Sequence, residues 1–493
     1  MFTSTHRFAF FEYFRVPYRM IDSSERNVGT VRGPGGGSLR WPLSGGVAGR
    51  HDLDGTPLFG HVLPDRTARR LLGPGDWRVD VPILDARGRH VASVWRDGDG
   101  DVFLPFDPGE VMHQFWSEGY RSAGRLRPLL VRTYYLVRPA LPRRAQLAAR
   151  RLFARLHRVP AFPAWPVETA LHDLQDRLFA LLVDVAGQPV PWLDLWPAGH
   201  TWAVVLTHDV ETAAGCRDLH LLRDIEREHG RPSEWNFVPL RYPVADDVLA
   251  GLRAEGCEIG VHGVRHDGRD LGSRRTLRRR LPVMREYAAR WGAVGFRSPA
   301  TQRTWAWMPL LGFDYDMSYH DTAPYEPTPG GGCSWLPYPN GDLVELPITL
   351  PQDHTLFTIL GHPDESVWLD KAAAIRARGG MMLVLTHPDY ATDPRAAAGY
   401  RRLLDTVRDD EGAWWANPGE VSAWWRQRAA STVEQVEGGW TVTGPAADSG
   451  RVVYALAEAP ALATRPTILP NHIISRQDIQ HLRDESWAGR AHP

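Results

Sequence analysis

AVVLTHDVE, residues 203–211, runs four apolar residues into Thr207, His208 and Asp209, the pattern of a buried β-strand that ends in titratable groups. Comparable segments follow at WNFVP (235–239), CEIGVHG (257–263), AVGFRSP (293–299), YDMSY (315–319), LVELPITL (343–350) and MMLVLTH (381–387). Between several of them the apolar spacing turns helical, at 217–228, 245–255 and 273–291. Strands that alternate with helices are joined by crossovers and lie parallel, so the fold class is α/β, with a barrel-like core of about seven parallel strands.

Outward from that core the character changes at PVPWLDLWPAGHTW (189–202), which sets a domain boundary near residue 197. Residues 1–196 read as an N-terminal mixed α+β region. Its glycine-rich stretch 28–50, with Pro34 and Pro42, reads as a loop. WRVDVPIL, HVASVW and DVFLPF, between residues 77 and 106, alternate as in a small antiparallel sheet. Helical spacing covers 143–158 and 167–185, and the arginine-rich face of the first is expected to be solvated. The barrel spans 197–430 and closes on NPGEVSAWWRQRAA, with Asn417 as N-cap, Pro418 as first helical residue and Glu420 as capping-box partner. Residues 431–463 read as a small C-terminal β appendage, and 464–493 as a polar, disordered tail.

Composition narrows the function. Lys+Arg 57 against Asp+Glu 58 removes the electrostatic footprint of a nucleic-acid or anionic-membrane binder. Three cysteines, Cys216, Cys257 and Cys333, support neither a disulfide framework nor a cysteine zinc site. The aromatic run near the N-terminus is interrupted by Glu12 and Arg15 and lacks a cleavage site, and no stretch is apolar enough to span a membrane. A cytoplasmic location is expected, with a peripheral membrane contact through residues 8–18 left open.

In VHGVRH (261–266), His262 and His266 stand four apart, which puts two imidazoles on one metal if the strand end turns into a helical loop. Twenty histidines give roughly one such pair by chance, so the pair alone decides nothing. LTHDVE (206–211), FRSPA (296–300) and VLTHPDY (384–390) add weight, because each delivers a titratable residue to the C-terminal end of a strand, where barrel enzymes collect their catalytic groups. His208, next to Asp209 along a strand, points to the opposite face and reads as structural.

The order T-x-D, H-x-x-x-H, R-x-P, L-x-H resembles the successive motifs of the polysaccharide deacetylase family (NodB homology, carbohydrate esterase family 4). FDYDMSY (313–319) and ELPITLPQDHTLF (345–357) are similar to segments of that family as well, while residues 1–195 have no counterpart in it. The resemblance implies a distorted (β/α) barrel and a metal-dependent hydrolase that removes an N-acetyl or O-acetyl group from a carbohydrate or sugar-linked small molecule by attack of metal-bound water. It also implies a divalent metal, zinc first among the candidates, on His262, His266 and an acidic residue. The common first motif has adjacent aspartates, whereas Val210 occupies the second place here, and Glu211 is the natural replacement ligand. By the same resemblance Asp209 is the base, Arg297 its ion-pair partner, and His387 the acid, oriented by Asp314, Asp316 or Asp389. Trp305, Trp307 and Trp335 fall near the expected rim, where a ring can stack on a sugar, although core packing is the commoner fate. Two rival readings are an allantoinase-like hydrolase of a non-sugar amide and a catalytically inactive glycan-binding homologue.

Overall fold

The computed structural model describes residues 5–20, 27–33, 36–121, 143–156 and 159–456. The chain separates into two compact units. The first comprises Met1–Tyr120, Thr169–Gly199 and Arg426–Pro493; the second comprises Arg121–Glu168 and His200–Trp425. Where the sequence suggests successive segments divided at residue 197, both units are thus discontinuous, because packing joins stretches that the chain order keeps apart.

In the first unit, β1 (Arg19–Met20), β2 (Val28–Arg32), β3 (Ser38–Pro42), β4 (Val47–Leu53), β5 (Thr56–Val62), β6 (Arg78–Asp85), β7 (His90–Arg96) and β8 (Val102–Phe103) form one sheet in the order β1-β2-β3-β8-β7-β6-β4-β5. The glycine-rich stretch 28–50 is therefore two strands and the start of a third, not a loop. Val28, Val31, Leu39 and Trp41 are core residues, and Gly29 serves close packing: a Cβ there would lie 2.7 Å from Cε2 of Trp41. The N-terminal aromatic run is likewise committed to this core. Phe8, Phe10, Phe11, Tyr13 and Phe14 are buried, with Phe10 and Phe14 packed edge-on to Phe179 at 5.0 and 4.9 Å between ring centroids. Those rings therefore belong to the core of the first unit. Among the described residues, no helix is long and apolar enough to cross a membrane.

The second unit is mixed α/β with a curled sheet. Its strands are β10 (Trp202–Val210), β11 (Glu234–Phe237), β12 (Glu258–Val261), β13 (Gly295–Phe296), β14 (Tyr315–Asp316), β15 (Tyr338–Asn340), β16 (Leu343–Glu345), β17 (Met381–Thr386) and β18 (Ala413–Trp415). They follow the order β15-β16-β14-β13-β12-β11-β10-β17, with β18 also on β10; β9 belongs elsewhere. Neighbours are parallel except β15 and β16, whose antiparallel pairing the apolar patterning did not reveal. The chain beyond β16 continues the curl: Ile348 bridges His320, and the Thr349 hydroxyl donates to the Met381 carbonyl at 2.8 Å. Helices His220–His229, Asp246–Ala254 and Arg274–Arg290 fall between the strands. Every residue of β10 is buried, as expected of a strand covered on both faces.

β9 (Val190–Leu193) lies in the first unit, where it pairs antiparallel with β21 (Val452–Ala455). β19 (Thr432–Val436) and β20 (Gly439–Thr443) form a hairpin. Residues 431–456 thus join the first unit through the β9 pairing instead of standing apart. The rest of the expected appendage, 457–463, and the tail 464–493 lie outside the described residues.

Candidate functional site

Alternation along β10 sorts its side chains into two environments. On the helix side, His208 bonds Thr386 Oγ1 through Nδ1 at 2.8 Å and Glu226 Oε1 through Nε2 at 2.6 Å. Glu226 also accepts from Ser233 at 2.7 Å, Tyr400 at 2.7 Å and Arg223 at 3.1 Å. Thr207 and Asp209 sit on the other face. The Arg297 guanidinium donates to Thr207 Oγ1 at 2.9 Å and Asp209 Oδ1 at 3.1 Å, while its Nε donates to the Met317 carbonyl at 3.0 Å. Burial raises the Asp209 carboxyl, but the neighbouring His262, Arg297 and His387 outweigh it and hold the group below the usual carboxylate range.

His262 and His266 leave the end of β12 on a bent loop, not the helical loop that their spacing suggested. Gly263 makes the turn possible: its φ is +65°, and a Cβ there would meet Asp270 Oδ2 at 2.3 Å. His266 itself has φ 53, a left-handed conformation that costs a side-chain-bearing residue about 1–3 kcal/mol and clusters at functional sites. His262 Nδ1 faces the Arg297 carbonyl at 3.0 Å, so it carries the proton and leaves the Nε2 lone pair free. Burial pushes His262 down to about 4, against the pull of Asp209, and the ring is neutral at physiological pH.

One nitrogen of His262, one of His266 and a carboxylate oxygen of Glu211 lie within 4.8 Å of one another. Glu211 Oε1 is 3.0 Å from His266 Nε2, and Asp209 Oδ2 is 3.6 Å from His262 Nε2. Yet His262 Nε2 and both ring nitrogens of His266 are buried without an aligned hydrogen bond. Unpaired polar nitrogens cost free energy away from water, and a shared cation is the partner this donor set fits.

His387, at the end of β17, closes the site. Its Nδ1 donates to Asp353 Oδ1 at 2.6 Å, and its backbone N–H donates to Asp353 Oδ2 at 2.8 Å. Burial lowers the imidazole, but Asp353, with Glu211 and Asp209, brings it up to about 9. The orienting carboxylate is therefore Asp353 and none of the three suggested by sequence. Asp314 is exposed. Asp316 accepts from Ser318 and sits in register with Glu345, and Asp389 accepts from Thr212 and, at 3.0 Å, from the Glu211 backbone N–H. Asp389 thus steadies the loop that carries Glu211. One signal for Asp353 was available: QDH follows a strand segment, LVELPITL, as the other site residues follow theirs.

Of the tryptophans, Trp335 is fully buried and donates to Asp321 at 2.9 Å, a core residue. Trp305 is half-buried against Tyr319 and Tyr338, at 6.0 and 6.2 Å between centroids.

No family model and no curated protein matches this sequence. The structural neighbours are polysaccharide deacetylases and family 4 carbohydrate esterases, with an allantoinase among them. A Mycobacterium smegmatis chain named as a candidate polysaccharide deacetylase shares 21% identity, covers 50% of this chain and 96% of its own, and has a TM-score of 0.40. The PuuE allantoinase shares 18%, covering 47% and 92% at TM-score 0.40. A family 4 carbohydrate esterase from Streptomyces lividans shares 14%, covering 43% and 90% at TM-score 0.29.

Proposed function

We propose that the second unit is a metal-dependent deacetylase that hydrolyses the N-acetyl group of a carbohydrate to a free amine and acetate. The observation that carries this reading is the meeting of three groups in one site: the Glu211–His262–His266 cluster, the Asp209–Arg297 pair and the His387–Asp353 pair. Glu211, His262 and His266 would hold a divalent cation, zinc by ligand type. When bound, such an ion lowers the pKa of water and polarises a carbonyl.

Asp209, ionised beside Arg297, takes the proton of the attacking water. His387, protonated on both nitrogens below about pH 9, gives the Nε2 proton to the departing nitrogen while Asp353 holds Nδ1. The carbonyl carbon gains the water oxygen, the C–N bond breaks, and the amine leaves neutral.

The test is metal analysis of the full chain together with acetate release from N-acetylglucosamine oligomers and nucleotide-linked N-acetyl sugars. Stoichiometric metal with acetate release is expected; a metal-free wild type with no turnover overturns the reading. Metal without turnover on any acetylated sugar would favour the glycan-binding alternative. Glu211→Ala should weaken metal binding, and unchanged affinity would remove Glu211 from the ligand set.

A further inference from the structure

We propose that Arg150, on the helix Arg143–Leu156, is a positioning residue for the His387 end of the site; this rests on the function proposed above. Arg150 Nη1 lies 3.2 Å from His354 Nδ1. A guanidinium only donates, so Nδ1 accepts and the ring proton sits on Nε2. That contact fixes the residue next to Asp353. The His354 backbone N–H donates at 2.7 Å to Asp353 Oδ1, the same oxygen that takes the His387 Nδ1 proton. The His354 ring also packs on Tyr390 at 4.4 Å, and Tyr390 stands edge-on to His387 at 5.3 Å. Arg150 therefore reaches His387 by two routes, one through the Asp353 carboxylate and one through the Tyr390 ring.

The turn that these contacts hold needs holding. His354–Ile359 is a π-helical turn, a form that is rare and occurs mostly as single turns at functional sites. The neighbouring Arg151 donates to the Thr358 carbonyl at 2.9 Å, and Arg150 Nη2 lies 3.8 Å from Glu326, which accepts from Thr355 within the turn. Farther along the same stretch, Trp165 packs on Tyr325 at 5.2 Å. Two arginines of the face that reads as solvated in the sequence, Arg150 and Arg151, thus contact the loops behind His387. A general acid must be held within about 0.5 Å of its productive place, and a 1 Å misplacement costs roughly 100-fold.

The two halves of catalysis are separable by leaving group. An acetamide nitrogen must be protonated to depart, whereas 4-nitrophenolate leaves unaided, so aryl acetate hydrolysis needs the Asp209 side but not His387. Arg150→Ala in the full chain should lower kcat about 10- to 100-fold on N-acetylglucosamine oligomers with KM little changed, while 4-nitrophenyl acetate hydrolysis and metal content hold. His354→Leu should do the same, and the double variant should be no worse than either single, since both act on one contact. Arg150→Lys should recover part of the loss. Equal losses on both substrates, additive losses, a change in KM alone or no loss would each overturn the positioning role. A wild type inactive on both substrates would instead refute the deacetylase reading itself.

Discussion

Two histidine–carboxylate clusters lie on opposite faces of β10, and they differ in one respect that decides what each is for. On the helix side, both nitrogens of His208 are bonded, to Thr386 and Glu226, and Glu226 is bonded in turn by Ser233, Tyr400 and Arg223. On the interior side, the nitrogens of His262 and His266 that face Glu211 and Asp209 are buried without an aligned partner. Both clusters are buried and both combine imidazole with carboxylate. A closed network rigidifies the sheet, whereas a partly satisfied one leaves costly unpaired groups that the proposed cation would satisfy. Burial of titratable residues is therefore common to both faces, and what sets the interior cluster apart is that unpaired nitrogens of two histidines gather around the Glu211 carboxylate.

The strongest way to break the contrast is to remove the open cluster. His262→Ala/His266→Ala should carry no metal and release acetate at background rate, measured by elemental analysis and acetate assay; a double variant that still binds metal stoichiometrically would move the site elsewhere. Asp209→Asn should keep its metal and lose about 10²–10⁴ in kcat, as expected for loss of a general base. Loss of metal along with rate would make Asp209 a ligand.

A smaller change is expected at His387, the proposed acid. His387 titrates at about 9, above the ordinary histidine value, so it is charged at neutral pH and activity should fall as pH rises through about 9. Its ion pair with Asp353 contributes stability that is fully present below about pH 6.5 and lost as pH rises through 9. Asp353→Asn removes the main upward pull, so the basic limb of the pH–rate profile should move toward about 6.5 and the alkaline stability loss should shrink. An unmoved limb would assign it to another group. The smallest effect on chemistry should come from the closed cluster: His208→Ala should leave metal content unchanged while destabilising the fold by about 3–5 kcal/mol in denaturant unfolding, because Glu226 is left buried with a lost partner. Metal loss in that variant would erase the distinction between the two faces.

Much of the interior site was legible in the sequence. Asp209, Glu211, His262, His266, Arg297 and His387 all lie at or just beyond the ends of strands that apolar runs announce, and the period of two put His208 opposite Asp209. Asp353 was harder to read because its partner is 34 residues away, so only its place after a strand segment, and no local spacing, pointed to it. The glycines at 28–50 look like loop punctuation, yet Gly29 lies under an indole; composition records flexibility but not what packs against it. Arg150 and Arg151 of the helix 143–156 carry the same lesson, since a charged side chain reads as solvated until tertiary contacts give it acceptors.

By itself the sequence determined the alternation of strands and helices in residues 203–387 and the chemical types at the strand ends, because both follow from local periodicity. Only the tertiary structure decided which imidazoles are satisfied and which are not. That depends on hydrogen-bonding partners contributed by residues such as Glu226, Thr386 and Asp353, brought within hydrogen-bond distance by the curl of the sheet and not by their order in the chain.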